Sequence, residues 1–395
     1  MSGIGATAAT FDVTAIRAQF PSLRPGRTYL DAPGGTQVHA SVIEAVSNYY
    51  LHSNANLGGP FETSQASDEV LSGARADLAA MLGCDAGEVV FGANMTTLTF
   101  HASRALTRDL GEGDEILVTR VDHDGNVAPW LLAAKDRGVT VRQVDIDADA
   151  CVIDLDDFAA KLSDRTRIAA FNWASNGAGT ISDAAAMCRM AREAGALSYV
   201  DAVQYAPHGP MDVHALGCDF LVCSAYKFYG PHVGVLYGRA ELLERIKPYK
   251  VRPAHDEPPG SWETGTVNLE GIAGTAAAAR YLVSIGAAAI TGYERPLTER
   301  LIEGLDQIDG VHQYGTRDLD RRVPTVTFTV EGRTPAAVAA ALGAQGIFVW
   351  DGNYYALELM ERLGLEQNGG AVRVGAAHYT TVEEIDRFLE AVAAL

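Results

Sequence analysis

Short apolar runs recur along the first part of the chain, at residues 88–92, 115–120, 139–146, 167–174, 196–202, 219–225 and 233–238. Each is strand-length, and Gly, Asp and Asn gather around them, as expected of buried strands closed by turns. Between the runs the apolar spacing changes to that of a helix. From Ser182 to Ala194, for example, Ala and Met recur at helical intervals beneath an Asp near the start. Strand-length and helix-length segments in alternation predict a mainly parallel sheet with helical crossovers, a doubly wound α/β arrangement.

The pattern changes after residue 240. Residues 247–265 are rich in Pro and Gly, too polar for a core element and longer than an ordinary connection. Two Ala-rich helical stretches follow, Leu269 to Ile285 and Tyr293 to Ile308. Beyond them the sequence predicts a strand at 323–330, a helix from Pro335 to Leu342, a short strand from Ile347 to Trp350 and a closing helix from Thr381. This predicts three parts: an N-terminal segment, 1–28, packing on the small domain; a large domain, 29–268; and a smaller α+β domain, 269–395. No internal repeat interrupts the plan.

Composition narrows the function classes. A chain of 395 residues exceeds the usual size of a single core, and 48% hydrophobic with 21% charged residues is ordinary globular usage. With 31 Lys and Arg against 50 Asp and Glu the net charge is -19, which repels phosphate backbones and anionic membranes. Nucleic acid and membranes are therefore not expected partners. The N-terminus lacks a basic region leading into an apolar run, so a cytoplasmic protein is expected. The five cysteines, Cys84, Cys151, Cys188, Cys218 and Cys223, form no disulfide or metal pattern, and the histidines show no ligand spacing.

The candidate chemistry lies at predicted strand ends. Lys227 stands between two apolar runs, where α/β sheets bind ligands, and a desolvated lysine amine can form a Schiff base with an aldehyde. A loop lysine on the surface fits the same position. Asp201 ends the preceding run, followed by Gln204 and His208. An Asp there can pair with a protonated pyridine nitrogen, and it can equally cap a helix. In the third piece, 89–97, a strand turns into a helix at Thr96 and Thr97, where amides and hydroxyls suit a phosphate.

With these pieces in place, the chain resembles the class V aminotransferases of pyridoxal phosphate (PLP) fold type I, in particular the cysteine desulfurase and selenocysteine lyase branch. The resemblance runs through Tyr29-Leu30-Asp31, Thr96-Thr97, Val121-Asp122-His123, Ser175-Asn176, Val200 to Gln204, Ser224 to Lys227, Glu263 to Thr266, and Arg373. It implies that Lys227 carries the cofactor, that Asp201 meets the pyridine nitrogen and that His123 stacks on the ring. It further implies that Asn176 and Gln204 reach the substrate side or the phenolate oxygen, and that Thr96, Thr97, Ser224 and Tyr226 lie at the phosphate. Thr266 would reach the phosphate of a partner subunit in a homodimer, and Arg373 would grip a substrate carboxylate.

Two departures bear on the reaction. Desulfurases of this branch carry a reactive cysteine shortly before the carboxylate-binding Arg, whereas residues 347–356 here contain none and instead hold Trp350, Tyr354 and Tyr355. Tyr354 and Tyr355 are expected to line the substrate mouth. Tyr226 stands where many members have a histidine. The sequence thus points to Cα carbanion chemistry on an amino acid. The first reading is β-elimination at a carbon–sulfur bond. Transamination is the runner-up, racemisation or decarboxylation comes next, and a non-catalytic PLP-binding scaffold is the rival from another class.

Overall fold

The computed structural model describes residues 11–395. Seven strands form the main sheet: β1 (Val89–Gly92), β2 (Glu115–Thr119), β3 (Thr140–Val144), β4 (Thr166–Asn172), β5 (Leu197–Asp201), β6 (Phe220–Ser224) and β7 (Gly234–Gly238). Their spatial order is β1-β7-β6-β5-β4-β2-β3. All pairings are parallel except those of β7, which runs antiparallel to both its neighbours. The α/β architecture expected from the alternating pattern is borne out, with β7 as the one reversed strand.

Successive residues of each strand point to opposite faces, and both faces are covered. Val89, Leu117, Ala169, Phe171, Val200, Leu221 and Val235 share one core with helices Glu62–Leu82, Ala184–Glu193 and Leu269–Ile285. Val90, Ile116, Val118, Ile168, Tyr199, Val222 and Leu236 share the other with helices Met95–Leu106 and Ala128–Arg137. A sheet buried on both sides needs near-continuous apolar strands, which is the pattern the sequence shows.

A second, antiparallel sheet follows: β8 (Val311–Tyr314), β9 (Thr325–Val330), β10 (Trp350–Gly352) and β11 (Ala371–Gly375), in the order β8-β9-β11-β10. Along β11 the side chains alternate. Val372 and Val374 enter the C-terminal core with Phe328, Leu301, Ile385 and Phe388, whereas Ala371 belongs to the main core. Arg373 shares Ala371's face and so is turned toward the large sheet.

Helix Leu269–Ile285 begins the C-terminal half by sequence but packs with the main core through Ile272 and Ala276 to Ala279. The next helix is Ala287–Asp306, starting earlier than its apolar spacing predicts and containing Pro296. No single helix among the described residues is long and apolar enough to cross a membrane. Residues 1–10 of the expected N-terminal segment lie outside the described residues. The rest of it touches C-terminal elements: Phe11 stacks on Tyr293 at 4.4 Å, and Arg17 pairs with Glu384 at 2.7 Å.

Candidate active site

The carboxyl ends of the parallel strands bring the predicted residues together. His123 follows β2, Asn176 follows β4, Asp201 ends β5 with Gln204 just beyond, and Ser224 ends β6 with Lys227 three residues on. They line a cavity of about 630 Å³, closed on the other side by Trp350, Tyr354, Tyr355 and Arg373. This is the crevice at strand ends where open α/β sheets bind ligands.

Lys227 is buried, and its Nζ donates to the carbonyl of Pro33 at 2.6 Å. The same carbonyl accepts from Gln204 Nε2 at 2.8 Å. Burial, then Arg373, lowers the lysine to about 7, opposed by Asp201. A large fraction of neutral amine is thus present near neutral pH. Asp201 accepts from the Val203 amide at 2.8 Å. Burial raises its carboxyl to about 7 against the pull of that hydrogen bond and of Lys227.

His123 is set by a short helical turn whose Gly125 amide donates to Nδ1 at 2.9 Å. Burial, Lys227 and Arg373 lower the ring to about 4, so it is a neutral imidazole. Behind it lies Asp122, fully buried and pushed up to about 8 by burial. Its oxygens accept from Thr119, from Asn126 Nδ2 at 2.7 Å and from the Asn172 amide at 3.2 Å. The sequence offered Asp122 only as the neighbour of His123; its bond from the Asn172 amide comes from β4, 50 residues on.

Arg373 is buried, and no carboxylate pairs with it among the described residues. Nη1 donates to the Asn176 carbonyl at 2.8 Å, and Nε has no partner. Burial lowers the guanidinium to about 10. An unpaired buried cation is costly, and an anionic ligand removes that cost. The Tyr354 ring lies 4.3 Å from the guanidinium carbon, and its hydroxyl donates to the Ala371 carbonyl. Tyr354 and Tyr355 both adopt left-handed backbone, φ 53° and 60°. Each such non-glycine residue costs about 1 kcal/mol or more. The conformation is held by Asn176 Nδ2 donating to the Tyr354 carbonyl at 2.8 Å and the Asp124 amide donating to the Tyr355 carbonyl at 2.6 Å.

The two tyrosines therefore part company. Tyr355 is 70% exposed and lies 5.4 Å from the His123 ring, at the mouth, whereas Tyr354 is tucked beneath Arg373. Trp350 faces Arg373 across β10 and β11 and packs over Gly34, where a Cβ would collide with the indole. His232 stacks on Tyr226 at 4.8 Å, which adds an aromatic wall that the sequence did not single out.

At the other end of the cavity, helix Met95–Leu106 is capped by Asn94, whose Oδ1 accepts from the Thr97 amide at 2.9 Å and its hydroxyl at 3.0 Å. Thr97 is exposed and lies outside the main cavity. With Thr266 it lines a neighbouring one of about 240 Å³. Ser224 Oγ accepts from the Met95 amide at 2.9 Å, while Thr96 lines the main cavity and its amide has no partner among the described residues. Gln204 lines the cavity, but His208 pairs with Glu294 at 2.8 Å away from it.

Residues 28–388 match the Aminotransferase class-V family model. The chain belongs to the class V aminotransferases. It is 34% identical to a probable cysteine desulfurase of Mycobacterium leprae, over 96% of each protein. It is 33% identical to an aminotransferase-like protein of Gibberella zeae, over 98% of this chain and 99% of that one. Other relatives are longer, and the chain spans 64%, 58% and 65% of three of them. Among solved structures, the apo cysteine desulfurase of Thermococcus onnurineus superposes with a TM-score of 0.92 at 30% identity, covering 98% of both chains. Class V enzymes of this kind depend on PLP, so the PLP fold type I expected from the motifs is borne out.

The residues present fit that cofactor. The cavity offers a lysine amine of lowered basicity beside a buried carboxyl, a neutral imidazole, the Thr96 amide at a helix start, and a buried Asn176 Oδ1 without a partner. The Thr96 amide and Asn176 Oδ1 are costly as they stand and are relieved by a polar ligand.

Proposed function

We propose that this class V enzyme acts on an α-amino acid by β-elimination at a carbon–sulfur bond, without a protein thiol to accept the sulfur. The observation that carries this reading is that none of the five cysteines lines the cavity. Cys151, Cys188, Cys218 and Cys223 are buried, Cys84 is half-buried, and burial pushes every one of these thiols up, away from the thiolate.

PLP, when bound, supplies an electron sink for negative charge at Cα. Lys227 would hold it covalently, Asp201 would face its ring nitrogen, and His123 would lie against its ring. Asn176 and Gln204 would serve the phenolate or substrate side, while Thr96 and Ser224, with Tyr226 beside them, would hold its phosphate. Arg373 orients the substrate carboxylate with the donors it leaves toward the cavity. Lys227 Nζ, freed when the substrate amine takes its place, takes the Cα proton, and its lowered basicity keeps an unprotonated fraction ready near neutral pH. The carbon–sulfur bond breaks with its electron pair on sulfur, which leaves as a thiol or sulfide once protonated. The remaining enamine hydrolyses to a 2-oxo acid and ammonia. A homodimer in which Thr266 serves the partner's site and a cytoplasmic setting belong to the same proposal.

The test is to incubate the PLP-loaded enzyme with a panel of amino acids that includes cysteine and its S-substituted forms. Equal amounts of 2-oxo acid, ammonia and released thiol or sulfide are expected, with no persulfide on any cysteine by mass spectrometry. A persulfide mapped to one of the five cysteines would restore a desulfurase. Oxo acid with the amino group retained on the cofactor would mean transamination, and no turnover on any substrate would mean a scaffold.

A further inference from the structure

Arg373, Asn176 and Tyr354 form a closed circuit. Arg373 Nη1 donates to the Asn176 carbonyl at 2.8 Å, and Asn176 Nδ2 donates to the Tyr354 carbonyl at 2.8 Å. The Tyr354 ring returns beneath the guanidinium at 4.3 Å, and its hydroxyl is anchored on Ala371, two residues before Arg373 on the same strand. Tyr354 also holds a left-handed backbone at φ 53°, a conformation that a tyrosine keeps only where its surroundings fix it.

We propose that Tyr354 is a positioning residue that fixes Arg373 in its carboxylate-binding pose, which makes residues 350–355 a rigid support for substrate recognition. This rests on the reading of Arg373 as the carboxylate anchor. A guanidinium held only by one carbonyl has several rotamers available. A ring face below it removes that freedom and leaves the remaining N–H groups directed into the cavity. The aromatic face does so without a competing negative charge, which a carboxylate partner would bring and which would neutralise the cation before substrate arrived. The phenol is committed to Ala371, so what Tyr354 offers Arg373 is its ring face.

The experiment uses the PLP-loaded enzyme and reads binding from the change in cofactor absorbance. Wild type is titrated with a panel of amino acids, and the tightest is compared with its decarboxylated amine. Tyr354→Asn removes the ring while keeping a residue that tolerates left-handed backbone. It is expected to weaken the amino acid about tenfold and leave the amine unchanged. Tyr354→Phe keeps the ring face and should stay within about threefold of wild type. In an Arg373→Ala background Tyr354→Asn should add nothing. Equal loss for amino acid and amine, a Phe variant as weak as the Asn one, or full additivity with Arg373→Ala would each overturn the positioning role. Wild type failing to prefer any amino acid over its amine, or Arg373→Ala leaving that preference intact, would instead overturn the carboxylate reading beneath it.

Discussion

Burial and the Arg373 guanidinium lower Lys227 to about 7, and Asp201 limits the fall. Below that value the amine is protonated and cannot attack an aldehyde. Above it the amine is neutral, so PLP uptake by cofactor-free enzyme should accelerate as pH rises through about 7. Asp201→Asn removes the negative charge that raises Lys227, so the inflection should move to lower pH. Stopped-flow absorbance across roughly pH 5 to 9 checks both, and a rate independent of pH would contradict them. Borohydride reduction of the loaded enzyme should fix the cofactor on Lys227 and on no other lysine in a peptide map. Lys227 and Asp201 were legible in the sequence because each closes or follows an apolar run, and strand ends are where such groups converge. Pro33 was not, since it meets Lys227 across 194 residues and contributes only a carbonyl, which every residue has. Thr97, with the Thr96 backbone, was legible as a helix start, but the Asn94 cap that takes up both the amide and the hydroxyl of Thr97 was not.

At the level of elements, two glycines set how closely helix Met95–Leu106 approaches the sheet. Gly92 and Gly234 are paired across β1 and β7, and a Cβ on Gly234 would meet the Asn94 backbone at 2.5 Å, while one on Gly92 would meet Leu98. Gly234→Ala should therefore push the helix start outward. The expected result is about 1–3 kcal/mol of lost stability by denaturant unfolding, together with faster PLP loss in dialysis. Unchanged stability and retention would mean that the helix start has slack. The alternation of strand and helix was readable from periodicity alone. The reversal of β7 was not, because a fully buried strand looks the same in either direction. Arg373 illustrates the intermediate case: its place on an apolar strand marked it as purposeful, but one of its supports, the Asn176 carbonyl, comes from 197 residues away, and the other, the Tyr354 ring, folds back from the connection between β10 and β11.

For the whole molecule, the acidic charge of -19 and the family's architecture bear on assembly. Ile43, Tyr50, Leu51 and Phe61 are exposed on and after helix Ala40–His52, and Thr266 lies apart from this chain's own main cavity. Sedimentation should give twice the chain mass, and Thr266→Ala should weaken cofactor retention without altering that mass. A monomer retaining PLP tightly would exclude the shared site. One turn also ties the N-terminal stretch to both sheets. The Pro33 carbonyl accepts from Lys227 and Gln204, while the Pro33 ring occupies the space that a side chain at Gly375, two residues past Arg373, would fill. Leu30 accepts from the Gly375 amide at 2.8 Å, which ties that turn to β11. On the roles proposed for Lys227 and Arg373, the turn is a ruler between the amine that would handle Cα and the guanidinium that would hold the carboxylate. On the same roles the rim at Trp350 and Tyr355 bears on the side chain alone, and a β-amino acid, whose carboxylate stands one methylene farther from its amine, is the molecule the enzyme should turn away.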